Sequence, residues 1–158
     1  MTKNTLVYPS IQEAQLPSLC SALQKCWAPR SYVIYLHGIL GAGKTTWVRA
    51  YLAQLGYTGR VKSPTYSLVE MYSIGDTGLQ VAHFDLYRLQ SEDELYYLGI
   101  EDIIAEHQII FIEWPEKGGL YTPEADAHIT LSWVSPESRD IEIMSKALPL
   151  PPTGSQGL

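Results

Sequence analysis

The segment SYVIYLHGILGAGKTTWVRAYLAQLG, residues 31–56, leaves few folds open to the chain that carries it. Ser31 to Leu36 is β-branched, aromatic and nearly continuous in apolar character, the pattern of a strand buried on both faces. It runs straight into a glycine-rich turn. After the turn, Trp47, Val48, Tyr51, Leu52 and Leu55 recur at helical spacing from about Lys44, and Gly56 suits the left-handed stop. Within the turn, Gly38, Gly43, Lys44 and Thr45 satisfy G-x-x-x-x-G-K-[ST], and each position answers a separate physical demand. The glycines let the backbone wrap an anion closely, so that successive N–H groups and the start of the helix point at negative charge. Gly41 and Ala42 keep the loop small, Lys44 reaches the β and γ phosphates, and the Thr45 hydroxyl ligates Mg²⁺. An ordinary strand–turn–helix corner needs neither the lysine nor the hydroxyl.

A phosphate-binding turn of this kind needs a carboxylate from a neighbouring strand, because ion and triphosphate must be held together while charge develops. Two acids end strand-like runs, Asp85 after VAHF and Glu113 after IIFI. Glu113 has the stronger apolar lead-in and is the preferred metal-site residue, although an acid where a strand meets a loop is also an ordinary solvated group. In RVKSPTYSLVE, Pro64 fixes the backbone and makes Ser63 extended, so Ser63 and Thr65 can offer hydroxyls to the γ-phosphate or the ion, as a switch loop does. The same tripeptide is also a common entry to a strand. Trp114 is either a lid over the site or a half-buried loop aromatic. The four histidines lack metal-ligand spacing and are expected to be structural.

The rest of the chain predicts an α/β fold, a single P-loop NTPase domain over residues 1–148 whose mixed parallel and antiparallel sheet is flanked by helices. Thr5 to Val7 reads as a short strand, and Ser10 with Glu13 as a capping box opening a helix from Ile11 to Cys26. TYSLVEMYSI and LQVAHFDLY around GDTG read as a hairpin, as do AHITLSWV and RDIEIM around SPES. Ser91 and Glu94 start a short helix that Gly99 stops, with a further turn from Glu101 to Glu106, and QIIFIEW reads as a central strand. LPLPPTGSQGL has the composition of a disordered tail, residues 149–158.

A formal charge of -6 argues against a protein that grips nucleic acid by itself, since that affinity comes from Lys and Arg neutralising phosphates. Cys20 and Cys26, about 240° apart around a helix, are expected not to pair. Without an apolar run near ~20 residues or a signal-peptide core, the expected setting is soluble, reduced and cytoplasmic, with no membrane partner. Residues Glu92 to Glu106 hold six acids and no Lys or Arg, which is either a solvated face or a surface for a basic partner.

Together, and in this order, GILGAGKTT, VKSPTYSLVE, HFDLYRL, GIEDI and IIFIEWPEKG closely resemble the TsaE family, also called YjeE, over roughly Val33 to Gly118. The resemblance implies a small P-loop ATPase using ATP/ADP and Mg²⁺ in the making of threonylcarbamoyladenosine in tRNA, acting with the TsaD and TsaB proteins and meeting tRNA only through them. It implies that Gly41, Ala42, Gly43, Lys44, Thr45 and Thr46 hold the nucleotide phosphates and that Thr45 and Glu113 serve Mg²⁺. It makes Asp85 the family's essential acid, Thr65 its switch threonine, and Trp114 the tryptophan after the acidic strand end. Adenine contacts from Ser10 to Gln12 and Trp133 to Ser135 lie outside these motifs.

Only five arginines occur, Arg30, Arg49, Arg60, Arg88 and Arg139, none in an obvious finger context, so slow hydrolysis alone and acceleration by partners is expected. Two other functions stay open at this point. A small-molecule kinase usually needs a cation-rich lid, which no segment supplies; a nucleotide-gated binding module without meaningful hydrolysis fits the switch-like Ser63 to Tyr66 equally well. A GTPase is disfavoured because no N-K-x-D stretch occurs.

Overall fold

A computed structural model describes residues 4–152. Among the described residues, seven strands form one sheet in the order β1-β7-β6-β2-β5-β4-β3. The strands are β1 (Asn4–Gln12), β2 (Tyr32–His37), β3 (Val69–Ile74), β4 (Leu79–Asp85), β5 (Ile109–Glu113), β6 (Ala127–Ser135) and β7 (Ser138–Ser145). Four of them, β6, β2, β5 and β4, run parallel, and the antiparallel strands close both edges. The sheet is therefore mixed, as its two hairpins predict.

Helices cover both faces. On one, α1 (Leu16–Trp27) and α2 (Lys44–Gln54) join an apolar cluster containing Trp27, Trp47, Tyr51 and Phe111. On the other, α3 (Asp93–Leu98) and α4 (Ile100–Glu106) pack with Phe84, Leu86, Ile110 and Ile112. Strand β5 explains its own continuous apolar sequence: Ile109 and Phe111 enter the first cluster while Ile110 and Ile112 enter the second. It lies between two parallel neighbours, β2 and β4, with β2 at the middle of the sheet. Phe111 is fully buried and packs edge-on against Tyr51 at 5.2 Å. Phe111→Ala is expected to lower unfolding stability by about 3–5 kcal/mol, the usual range for such a cavity, as read from a urea melt.

The amino-terminal elements differ from the expectation. The strand continues through Gln12, and the helix begins at Leu16 with a proline in its first turn. Pairing with β7 explains this: a bulge between Tyr8 and Ile11 keeps Ile11 facing the core, and the Ser10 N–H is taken by the Asp140 Oδ1 at 2.8 Å. The reciprocal cap is made by Gln12 and Gln15 across a short 3-10 turn, not by Ser10 and Glu13. Strand β3 likewise starts later than TYSLVEMYSI suggested, because Pro64 to Leu68 closes a turn with the Leu68 N–H on the Pro64 carbonyl.

The short helix after Ser91 and the β6–β7 hairpin fall where the sequence placed them, while the stretch from Glu101 to Glu106, expected as a turn, is part of the helix α4. Both cysteines are free. The stretch from 149, expected as a tail, touches the core at its start: the Trp27 indole N–H donates to the Pro149 carbonyl at 2.9 Å and Leu150 packs on the first cluster. Residues 153–158 lie outside the described residues. Among the described residues, no helix is long and apolar enough to cross a membrane.

Candidate functional site

The parallel strands β2, β4 and β5 all end on one side of the sheet, where an open α/β sheet receives ligands. Strand β2 gives way to the glycine turn and then to α2. Gly38 is demanded by space: a Cβ there would lie 2.8 Å from the Ala42 Cβ and 2.8 Å from the Leu131 carbonyl oxygen. Gly43 is demanded by conformation, since it caps α2 at φ 104. The α2 N-terminus therefore opens on the turn with its first amides free of side-chain caps.

A hollow of about 290 Å³ lies against it, lined by Leu40 to Thr46, Ser63, Thr65, Asp85 and Glu113. Asp85 and Glu113 are register partners at the ends of adjacent parallel strands, and both are buried. Lys44 is buried beside the turn, donating to the Gly38 and Ile39 carbonyls, with its Nζ 4.0 Å from Glu113 Oε2. The other Glu113 oxygen is 2.9 Å from the His83 Nε2. The Thr65 hydroxyl donates to Asp85 Oδ2 at 3.1 Å and lies 2.7 Å from the Ser63 hydroxyl, while Asp85 Oδ1 accepts the Tyr87 N–H at 3.0 Å.

Trp114 is half-buried, as one of its two sequence readings expected. It follows β5 in the left-handed region at φ 55, where a non-glycine residue is strained. Its ring lies under the lysine, with Nζ 5.1 Å from the centroid, and Tyr87 packs on it at 5.2 Å. Trp114 lines a smaller recess with His37, Gly38 and Glu116, whose lining includes neither Asp85 nor Glu113. Burial holds the His37 imidazole below its ordinary value against the opposing pull of Glu116, and its Nε2 lies 2.8 Å from His128 Nδ1.

A second hollow adjoins the turn, lined by Ile11, Gln12, Glu13, Leu131, Pro136, Glu137 and Arg139 together with Gly43 and Thr46. Of the two stretches suggested for adenine, Ile11 and Gln12 reach it, whereas Trp133 to Ser135 do not.

Hydroxyls at Thr45 and Thr65 with carboxylates at Asp85 and Glu113 form an all-oxygen donor set, which suits Mg²⁺. Among the described residues, no group of three or more His, Cys, Asp or Glu is placed to hold a metal by itself. The glycine turn, the unsatisfied helix amides and the buried ammonium fit the phosphates themselves.

Two residues at the site were missed in the sequence. His83 shares a strand face with Asp85, two residues on, so the period-two rule could have placed it beside Glu113. Arg139 reaches the turn from β7 with no local signal at all.

Fold and site together define an α/β P-loop NTPase. A crystal structure of Bacillus subtilis YdiB shares the fold at TM-score 0.70, 22% identical, over 92% of this chain and 88% of that one. The sequence model for "Threonylcarbamoyl adenosine biosynthesis protein TsaE" matches residues 10–141, and the chain belongs to the TsaE family. Relatives named tRNA threonylcarbamoyladenosine biosynthesis protein TsaE include one from Haemophilus influenzae, 44% identical over 124 residues, spanning 78% of this chain and 77% of the relative. Another, from Bacillus subtilis, is 30% identical over 75% of this chain and 73% of the relative.

Proposed function

We propose that the chain is a Mg²⁺-dependent ATPase that supports threonylcarbamoyladenosine formation in tRNA, working with TsaD and TsaB and touching tRNA only through them. The observation that carries the ATPase part is the single hollow in which Lys44, Thr45, Thr65, Asp85 and Glu113 meet the glycine turn. The biosynthetic role rests on family membership.

Amides of the turn and of the α2 N-terminus bind the phosphates, and Lys44 neutralises them. Thr45 and Glu113 hold the ion, which when bound offsets charge developing on the transferred phosphoryl group. The adjoining hollow of Gln12, Pro136 and Glu137 receives the nucleoside. Asp85, with one oxygen tied to the Tyr87 amide and the other to Thr65, couples the 63–68 turn to the site. Thr65 is thus tied to a carboxylate at the mouth of the hollow, which suits a segment that rearranges around a γ-phosphate.

Asp85→Ala is expected to lower turnover on the order of 100-fold while changing ADP affinity less than about 3-fold. Steady-state phosphate release and calorimetry on the same preparation measure both; equal losses would make Asp85 a ligand-holding residue instead. The biosynthetic reading is tested by comparing ATP consumed with modified tRNA formed, omitting this chain, TsaB and TsaD in turn. Undiminished modification without this chain would overturn it, as would vigorous hydrolysis by the isolated chain overturn its dependence on partners.

A further inference from the structure

One arginine serves the phosphate turn from outside every motif. Arg139 on β7 donates its Nε–H to the Ala42 carbonyl at 2.8 Å and an Nη2 hydrogen to the Gly41 carbonyl at 3.3 Å. Its Nη1 donates to the carbonyls of Ser135 at 2.7 Å and Ser138 at 2.9 Å, at the β6–β7 connection. A single half-buried guanidinium thus ties two loops that are remote in sequence.

The peptide plane gives this arrangement a consequence for anion binding. In a trans peptide the N–H points opposite the C=O, so fixing the Ala42 carbonyl fixes the direction of the Gly43 N–H. Fixing the Gly41 carbonyl does the same for the Ala42 N–H, which reaches the Ile39 carbonyl at 3.0 Å. With two carbonyl oxygens turned onto a cation, the negative ends of those peptide dipoles are kept away from the hollow where phosphates are to sit. Around the same guanidinium, Pro136 and Glu137 wall the adjoining hollow together with Gly43 and Thr46. A planar fork of donors can satisfy several carbonyls at once; an ammonium on the same strand cannot span both loops in that geometry.

We propose that Arg139 is a positioning residue for nucleotide binding: it sets the peptide orientation of the phosphate turn and locks it to the wall of the nucleoside hollow, without itself touching phosphate. The inference rests on the nucleotide reading above.

The test titrates ADP and inorganic tripolyphosphate into the full chain by calorimetry, for the parent, Arg139→Gln and Arg139→Lys. It also follows the ¹⁵N-labelled Gly43 amide resonance with and without saturating ADP. Both ligands are expected to bind Arg139→Gln roughly 10-fold or more weakly, and the Gly43 resonance to shift less on ADP than in the parent. Arg139→Lys, which keeps the charge, is expected to recover only part of the affinity. Arg139→Gln binding both ligands within about twofold of the parent, or full recovery in Arg139→Lys, would overturn the proposal, the latter by reducing the residue to its charge. If Arg139→Gln does not fold, Arg139→Lys decides alone: weakened binding with a displaced Gly43 resonance supports the proposal, and parental binding overturns it. A parent that binds neither ligand would remove the nucleotide reading and this proposal with it, whereas a parent that binds beside unaffected variants removes only the role of Arg139.

Discussion

Lys44→Ala is expected to weaken ADP and ATP binding by about 100-fold. The side chain supplies charge-assisted hydrogen bonds to phosphate, each worth roughly 1.5–3 kcal/mol, which is on the order of 10- to 100-fold in affinity. The surroundings push the loss toward the upper end. Glu113 and Asp85 are both buried at the same mouth, and Lys44 is the cation that stands against them, 4.0 Å from Glu113. Without it, incoming phosphates meet two carboxylates and only the amides of the turn. Calorimetric titration with ADP in EDTA isolates the lysine from the ion. A folding defect is separable from a binding defect by the pair Lys44→Ala and Glu113→Gln. Removing both charges restores balance to the interior, so the doubly substituted protein is expected to melt closer to the parent while still failing to bind. Parental ADP affinity in Lys44→Ala would remove the turn between Leu36 and Trp47 from the site altogether.

The parts of this site that were legible in the sequence are those built by neighbours along the chain. The glycine turn needed only residues 38–45, and β5 announced itself because both faces of a buried parallel strand demand apolar side chains. Which acid stood where was legible as well, since Asp85 and Glu113 each end a strand, and strands that end together at one side of a parallel sheet bring their last residues into register. What depended on sheet order was not legible. Arg139 bonds to Ala42 across 97 positions, and nothing near residue 139 marks that partner. The start of α1 was misplaced for a similar reason. Ser10 and Glu13 satisfy a local capping pattern, but an antiparallel partner strand claims the backbone through Gln12 and outweighs it. Trp114 was ambiguous between lid and loop because its position under Lys44 follows from a left-handed backbone turn, which the residue type does not reveal.

Glu113→Gln separates the binding of phosphates from their chemistry. The substitution keeps size and a hydrogen-bond acceptor for His83, whose Nε2 lies 2.9 Å away, but removes the charge that holds a divalent ion. ADP affinity in EDTA is expected to stay within about 3-fold of the parent, or to tighten, because a negative charge beside the phosphates is gone. Hydrolysis with Mg²⁺ is expected to fall on the order of 100- to 1000-fold, which corresponds to about 3–4 kcal/mol of charge stabilisation, within what a bound ion supplies. The Mg²⁺ concentration needed for half-maximal turnover should rise at the same time, and Thr45→Ala should move it in the same direction. These signs distinguish a metal role from a merely structural one: loss of a buried hydrogen bond to His83 would lower the melting temperature without shifting the Mg²⁺ titration. If that titration midpoint stays at the parental value in Glu113→Gln, the ion is held elsewhere. Asp85, its register partner on β4, is then the carboxylate in reach of the same hollow.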